Sequence, residues 1–296
     1  MWNLNFAPPI VIEARVLTRM PAELRRAVRT DWAEANKPGQ LVDCFLEGPT
    51  FDANGVLHVT DIPHGRLFRI TADGTWELVA ETGGWPNGMA LHVDGSLWIA
   101  DYRRGLLRCE CATGKIDTML AHRNSEAFRG LNDLCFDARG NLYFTDQGQS
   151  GLHDPSGRVY RLEPDGRLDL VVDNVPSPNG IALTADGSVL FVAVTRANQV
   201  WRAPVMADGS ISKMGAFRTF FGTSGPDGLA TTPNGGLIVA HASLGGAFVL
   251  NARGEITHFI RSPAGQTVTN VAIRPQTSSV VMTESHSGSI LEAELR

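Results

Sequence analysis

The sequence predicts an all-β protein, a six-bladed β-propeller, and three observations support this class. A segment centred on Asn179 recurs, altered, five more times along the 296 residues. Successive copies begin 40, 45, 47, 48 and 43 residues apart, a period typical of propellers. Within each copy, short apolar runs alternate with Asx-Gly or similar turns, which predicts four antiparallel strands and therefore one blade per copy.

A polar residue opens each repeat at the same position, and we call these six the ring residues. They are Glu47, Asn87, Asn132, Asn179, Asp227 and Asn270. Eight residues later five repeats have a glycine and the sixth has Ser278. The blades are thus predicted to begin near the ring residues, and residues 1–296 are predicted to form a single propeller.

The segment before the first repeat supplies two further predicted elements. Residues 10–17 resemble a strand, and since the sixth repeat ends after three strands, this strand is expected to complete the last blade and remove two exposed edges. Residues 21–36 are predicted to form one short N-terminal helix, because Pro21 suits a first turn and Pro38 a stop. Apolar side chains of that helix would recur every four residues, at Leu24, Val28 and Trp32.

Composition excludes several classes of partner. The net charge is −5 and no run of Lys or Arg occurs, so neither nucleic acid nor an anionic membrane is expected to bind. No apolar run approaches the length of a membrane span and the N-terminus lacks signal-peptide features. The four cysteines show no metal-ligand spacing and are expected to be free thiols. A cytoplasmic protein with a small-molecule substrate is predicted, while the sequence does not indicate an oligomeric state.

The ring residues predict a metal site at one mouth of the channel. Asn-Gly and Asp-Gly pairs taken singly favour turns, but that reading does not account for Glu47 or for Asn132 and Asn270, which no glycine follows. Carboxylate and amide oxygens converging on one axis suit a hard divalent cation. Ca²⁺ is the expected ion, with Mg²⁺, Mn²⁺ or Zn²⁺ as alternatives, and His- or Cys-rich zinc spacing is absent from the sequence.

The residue fourteen positions after the ring residue is predicted to reach the same mouth. Four repeats have an acid there, which is expected to accept backbone hydrogen bonds, whereas the fifth has His241. The acids are Asp61, Asp101, Asp146 and Glu284. His241 departs from the pattern, and it is therefore a candidate for a pocket residue as well as for a core histidine.

Four segments in order resemble the signature segments of the SMP-30/gluconolactonase/LRE-like family, over residues 41–296. They are Phe45-Leu46-Glu47-Gly48-Pro49, Leu131-Asn132-Asp133, Ser177-Pro178-Asn179-Gly180 and Gly225-Pro226-Asp227-Gly228-Leu229-Ala230. The resemblance implies a six-bladed, metal-dependent lactonase. It also implies that Glu47, Asn179 and Asp227 bind the metal, with Asn132 either as a fourth ligand or in contact with the substrate.

One departure from the family concerns the substrate. Members that act on sugar lactones have an arginine two residues before the Asn132 position, whereas this chain has Gly130 there and Arg129 beside it. A substrate less polar than an aldonolactone is an alternative. The predicted substrate-binding residues are Trp85, Asn87, Phe128, Arg129, Asn132 and His241.

The predicted chemistry is hydrolysis of a lactone or small ester by metal-activated water. Asp227 resembles the family's base as well as a ligand, and His241 is a second candidate for the base. No G-x-S-x-G elbow occurs, so an acyl-enzyme on serine is not expected. Two alternatives remain: an organophosphate hydrolase on the same metal site, and a non-catalytic, metal-stabilised propeller that binds a partner.

Overall fold

The computed structural model describes residues 8–295, and most of its strands form six sheets arranged as the blades of a propeller. In each blade the strand that carries the ring residue is innermost, and later strands lie farther out. The inner strands contact one another in cyclic order, the sixth returning to the first. The predicted all-β, six-bladed class is confirmed.

The first three blades each consist of four consecutive strands. Blade 1 contains Leu46–Phe51, Leu57–Asp61, Arg66–Ile70 and Trp76–Glu81. Blade 2 contains Pro86–Leu91, Leu97–Asp101, Gly105–Glu110 and Lys115–Leu120. Blade 3 contains Leu131–Phe136, Leu142–Asp146, Gly157–Leu162 and Leu168–Val175. A two-stranded hairpin between blades 2 and 3 contains His122–Arg123 and Glu126–Ala127.

The last three blades use the chain in the same order, except at the end of the ring. Blade 4 contains Pro178–Leu183, Val189–Val194, Gln199–Pro204 and Gly215–Thr219. Blade 5 contains Pro226–Thr231, Leu237–His241, Gly246–Leu250 and Ile256–Arg261. Blade 6 contributes only Val268–Ile273, Ser279–Glu284 and Ser289–Glu294 in sequence.

The N-terminal segment closes the ring, but over different residues from those expected. Strand Arg15–Arg19 pairs antiparallel with the third strand of blade 6 and completes that blade. Strand Ile10–Glu13 instead pairs in parallel with the outer strand of blade 5. The predicted single strand over 10–17 is corrected in this respect, because the chain crosses between blades at Ala14, which is buried and donates its N–H to the carbonyl of Arg261 at 3.0 Å.

The predicted helix over residues 21–36 is wrong in extent. The structure has a 3₁₀ turn at Ala22–Leu24 and an α-helix only at Asp31–Asn36. The α-helix begins after Thr30, whose hydroxyl accepts a backbone N–H three residues on at 3.1 Å and so caps the helix. Val28 of the predicted apolar face is exposed, so the segment before the cap has no reason to be helical.

That segment instead connects blade 1 to blade 6, where the ring closes. The Arg25 guanidinium donates twice to the Asp43 carboxylate, at 2.8 Å each, and once to the Ser287 carbonyl at 2.6 Å. These bonds join the segment to the residues just before the first strand of blade 1 and to blade 6.

Every inner strand has an irregular register beside its ring residue. The pairing with the second strand shifts there in all six blades. Such bulges increase local twist and turn a side chain away from its regular direction. In this protein they direct the ring residues toward the axis of the propeller.

Glycines that follow ring residues are required by close approach of the next blade. A Cβ on Gly88 would lie 1.9 Å from the Asp133 carboxylate, and one on Gly228 would lie 1.9 Å from the Asn270 amide oxygen. At Gly180 the neighbour is a backbone oxygen at 2.2 Å. Because these glycines lie within inner strands, the Asn-Gly and Asp-Gly pairs do not form turns here.

The acids fourteen positions after the ring residues stabilise the start of their own blade. Each one ends the second strand and accepts the N–H of the residue just before the inner strand. The donors to Asp61, Asp101, Asp146 and Glu284 are Phe45, Trp85, Gly130 and Thr267, at 2.8, 3.0, 2.8 and 3.1 Å. In blade 5 the corresponding residue is His241, which leaves this carboxylate link missing there.

Apolar side chains fill the spaces between neighbouring blades. One cluster joins Phe191 and Val200 of blade 4 to Leu237 and Phe248 of blade 5, and similar clusters lie at the other junctions. All four cysteines are free thiols, as expected. Within residues 8–295, no helix has the length and apolar character needed to cross a membrane.

Candidate active site

A cavity of about 860 Å³ lies at one mouth of the central channel, and five of the six ring residues form its floor. These are Glu47, Asn87, Asn132, Asn179 and Asp227. All five are buried. The bulged inner strands therefore bring two carboxylates and three amides from five different blades to one place.

Within residues 8–295, Glu47 and Asp227 are the only carboxylates that line the cavity. Burial raises the pKa of Glu47 to about 7. Burial, and then the nearby Glu47 charge, raise the pKa of Asp227 well above its usual range. Neither carboxylate forms an ion pair with any lysine or arginine of the described chain. A buried pair of acids without a cationic partner is a feature that a bound cation would stabilise.

The amide of Asn132 is oriented with its oxygen free. Its Nδ2 donates to Oε1 of Gln147 at 3.0 Å, and the Gln147 amide nitrogen donates in turn to the Ser177 hydroxyl at 2.9 Å. Since the nitrogen of Asn132 is already used, its Oδ1 is the atom available on the floor. This is the orientation that a hard cation requires of an amide ligand.

The sixth ring residue, Asn270, does not line the cavity and instead holds Glu47 from behind. Its Nδ2 donates to Oε2 of Glu47 at 2.7 Å, and its Oδ1 accepts the N–H of Val271 at 2.7 Å. Oε2 of Glu47 also accepts the N–H of Gly48 at 2.6 Å. One carboxylate oxygen is thus fixed by two donors, which leaves Oε1 for the cavity side.

The donor set on the floor fits a hard divalent cation. Glu47, Asn132, Asn179 and Asp227 offer oxygen atoms and two negative charges, the chemistry that Ca²⁺ prefers. Residues 8–295 contain no group of three or more His, Cys, Asp or Glu side chains placed to bind a metal. The described chain therefore offers no imidazole- or thiolate-rich zinc site in competition.

His241 lies outside the cavity. Its ring packs edge-on against Phe220 and Phe248, with centroids 5.8 and 6.1 Å away, and the residue is fully buried. Within the described residues neither ring nitrogen has a well-formed hydrogen bond. Burial lowers the pKa of His241 to about 4, and an interaction with the Phe221 backbone opposes this only in part. The structure thus separates His241 from Asp227, the other predicted base.

The remaining predicted substrate-binding residues divide into two groups. Trp85 and Asn87 line the cavity together with Asn132. Phe128 packs against core aromatic rings of blade 3, and the guanidinium of Arg129 donates to the Ser156 hydroxyl. Neither Phe128 nor Arg129 reaches the cavity wall.

Tyr102 explains the glycine at position 130. A Cβ on Gly130 would lie 2.4 Å from the Tyr102 ring, and Gly130 has a φ of +153° that disfavours other residues. The Tyr102 ring stacks at a tilt on Trp85, with centroids 5.5 Å apart, and its hydroxyl accepts from the Gln149 amide at 2.9 Å. An aromatic wall therefore occupies the place beside Asn132 where a longer polar side chain would need space.

Sequence reasoning did not identify several residues that the structure brings to the cavity. Lys37 follows the short helix, and Arg196 lies on a 3₁₀ helix, Thr195–Ala197, between the second and third strands of blade 4. Tyr102 and Gln147 directly follow Asp101 and Asp146, so the position fifteen residues after a ring residue was the available signal.

The fold and the site together define a class: a six-bladed propeller with a floor of carboxylate and amide oxygens at one mouth of its channel. The chain belongs to the SMP-30/gluconolactonase/LRE-like region family, whose model matches residues 45–286. The predicted family is thereby confirmed.

The curated relatives of this chain include lactonases. The chain is 31% identical to lactonase drp35 of Staphylococcus aureus over 264 residues, which is 84% of this chain and 76% of the relative. It is 30% identical to lactonase drp35 of Staphylococcus epidermidis over 261 residues, 84% and 75% of the two chains. These relatives support the predicted enzyme class, a lactonase.

Solved structures share the fold. A gluconolactonase from Xanthomonas campestris superimposes with a TM-score of 0.76 at 21% identity, covering 94% of this chain and 97% of the other. A calcium-binding protein, regucalcin, from Agrobacterium tumefaciens gives 0.77 at 20% identity, covering 98% of each chain. At this level of identity the likeness supports the architecture alone.

Proposed function

We propose that this protein is a metal-dependent lactonase that opens a small lactone in the cavity above the ring residues. The observation that carries the proposal is the buried pair Glu47 and Asp227, which lacks a cationic partner within the described residues and lies among amide oxygens. Membership of the family and the lactonase relatives support the reaction class.

The proposed ligands are Glu47, Asn132, Asn179 and Asp227, and Ca²⁺ is the proposed ion. When bound, the ion would supply Lewis-acid polarisation of the lactone carbonyl. The residues contribute positioning: Gln147 fixes the amide of Asn132, and Asn270 fixes the carboxylate of Glu47. Such outer partners orient ligands before the substrate arrives.

Asp227 is the proposed base, which accepts a proton from the attacking water and later returns it to the leaving alkoxide. Its carboxylate lines the cavity, whereas His241 lies among aromatic rings outside it. A base must lie within hydrogen-bond reach of the proton that it accepts. This requirement favours Asp227 over the other candidate.

The proposed substrate has a less polar body than a sugar lactone. Trp32, Phe45, Ile62, Trp85 and Tyr102 line one side of the cavity. Trp32 and Phe45 lie 4.7 Å apart between ring centroids, and Trp85 stacks on Tyr102. Aromatic walls bind apolar groups, while hydroxyl and amide side chains such as Gln149, Ser150 and Ser224 line other parts of the cavity.

A lactone panel tests the proposal. Acid release would be followed for aliphatic, aromatic and sugar lactones, with chelator-treated protein and after addition of Ca²⁺, Mg²⁺, Mn²⁺ or Zn²⁺. We expect turnover only with metal and faster hydrolysis of lactones with an aliphatic or aromatic body than of sugar lactones. Hydrolysis of organophosphates alone would change the reaction class, and absence of any turnover with metal bound would favour a binding module.

Two variants assign the base within the same assay. Asp227→Asn should lose metal affinity and rate together, while His241→Gln should keep most of its turnover. A loss of about 10²- to 10⁴-fold in His241→Gln, with normal metal binding, would assign the base to His241 instead. A fully active Asp227→Asn would contradict the proposed mechanism.

A cytoplasmic location is a further proposal. Its support is that Cys44, Cys109, Cys111 and Cys135 are all free thiols, which is typical of proteins in reducing compartments. Fractionation of the native cells with an antibody to the chain would test it.

A further inference from the structure

Two cationic side chains line the cavity without partners of their own. In the part of the chain that the structure describes, Lys37 and Arg196 are the only lysine and arginine that line the cavity. Neither side chain makes an ion pair or donates a hydrogen bond to another described residue, although the Lys37 ammonium lies 5.5 Å from the centre of the Phe45 ring. Most surface arginines of this chain, by contrast, bind a carboxylate, hydroxyl or carbonyl.

The charges of the cavity do not balance once its floor is considered. Among the described residues, Glu47 and Asp227 are the only acids that line it, and Asp133 is a third buried acid next to Asn132. The proposed divalent cation would offset two of these three negative charges. The walls then retain the two positive charges of Lys37 and Arg196, although the whole chain carries a net charge of −5. A cavity with positively charged walls attracts anions and discriminates between charged and neutral ligands.

The backbone that carries Arg196 is held firmly at the mouth. The hydroxyl of the preceding residue, Thr195, donates to the Pro226 carbonyl at 2.8 Å, and its N–H donates to the Ser177 carbonyl at 3.1 Å. The 3₁₀ helix then ends at Asn198, which has a left-handed φ of +53°. A fixed base of this kind lowers the entropic cost of using a long side chain to bind a ligand.

Arg196 lines the same cavity as Asp227. Arg196 belongs to blade 4, whereas Lys37 lies beside blade 1, which is opposite in a ring of six. The two cations therefore act from different sides of the cavity.

We propose that Arg196 binds an anionic substituent of the substrate, so that the preferred substrates are lactones bearing a carboxylate on the ring or on a short side chain. This inference rests on the proposed function and names the substrate class within it. The planar guanidinium suits bidentate binding of a carboxylate. Lys37 contributes attraction at longer range from the opposite wall.

A matched pair of substrates tests the inference with the metal-loaded, full-length protein. The pair consists of the γ-carboxylate of γ-butyrolactone and the corresponding γ-carboxamide, with homologues in which one or two methylenes separate the group from the ring. We expect at least one carboxylate to exceed its carboxamide in kcat/KM by roughly 10-fold or more at low ionic strength. The advantage should fall as salt is added.

Variants assign the effect to the residue. Arg196→Gln should lower kcat/KM for the carboxylate by about 10- to 100-fold while leaving the carboxamide nearly unchanged. Arg202→Gln is the control, because Arg202 is on the same blade and also lacks an ion pair among described residues, but does not line the cavity. Lys37→Met should reduce the salt dependence more than the rate.

The outcomes separate this inference from the proposed function. Turnover of carboxylates and carboxamides at equal kcat/KM, or an equal effect of Arg196→Gln on both, would overturn the inference and leave a lactonase intact. Absence of turnover for every lactone would remove the proposed function. Calorimetric binding of the two compounds would then decide the inference, and equal affinities would overturn it.

Discussion

Replacing Asn270 with alanine should weaken cation binding although Asn270 is not a proposed ligand. Its amide nitrogen donates to Oε2 of Glu47 at 2.7 Å, and its amide oxygen is fixed by the N–H of Val271. Glu47 would keep only the N–H of Gly48 as a donor at that oxygen. The carboxylate would then be free to leave the position that the other floor residues require.

The expected loss of Ca²⁺ affinity follows from the hydrogen bond between Asn270 and Glu47. A hydrogen bond to a charged, buried group contributes about 1.5–3 kcal/mol, which corresponds to roughly 10- to 150-fold in a dissociation constant. Outer-shell substitutions at metal sites typically cost a similar factor. The ligands themselves remain, so hydrolysis at saturating Ca²⁺ should recover to within a few-fold of wild type.

Calorimetric titration of chelator-treated protein with Ca²⁺ measures the change, and circular dichroism checks the fold. Asn251→Ala is the matched control, since Asn251 donates to the Glu255 carboxylate at 2.6 Å but lies in an outer turn of blade 5. An unchanged Ca²⁺ affinity in Asn270→Ala would refute the positioning role. So would an equal loss in the control.

Three further outcomes are expected. Glu47→Gln should abolish metal-dependent turnover and leave the fold intact, because it removes one of two ligand charges without changing side-chain size; wild-type rate and Ca²⁺ affinity would contradict the site. Deleting residues 1–20 removes one strand from each of blades 5 and 6, and the melting temperature should fall by roughly 10 °C, whereas an unchanged value would show another means of closure. Burial lowers the pKa of His241 to about 4, so the free energy of unfolding is highest above the unfolded pKa of about 6.5 and decreases as pH falls toward 4. The expected decrease is up to about 3 kcal/mol. The pH dependence of unfolding should flatten in His241→Leu.

The repeat pattern predicted the architecture because each blade has the same order of strands and turns. The ring residues could be located from sequence because they precede the regular turn glycine by a fixed interval. What the pattern could not give was the bulge at each ring residue, which depends on pairing between strands. It also could not separate Asn270 from the other five, since that difference arises from its contact with Glu47.

The errors at the N-terminus have a local cause. A four-residue apolar spacing over 21–36 suggested one helix, but Thr30 caps a shorter helix and Arg25 binds Asp43 across the closure of the ring. His241 was singled out by its place in one repeat, and the structure surrounds it with aromatic rings instead. Lys37 and Arg196 lie in segments outside the repeated pattern of strands and turns. Only the folded structure shows that they line the cavity.

Cation binding on the floor of the cavity and hydrolysis of a lactone are proposed to occur at the same site. The most direct measurement titrates chelator-treated wild-type protein with Ca²⁺ and records bound metal and acid release from one lactone in the same samples. Rate and occupancy should rise together and saturate at one ion per cavity. Full activity in the metal-free protein, or occupancy that saturates without turnover of any lactone, would contradict the account.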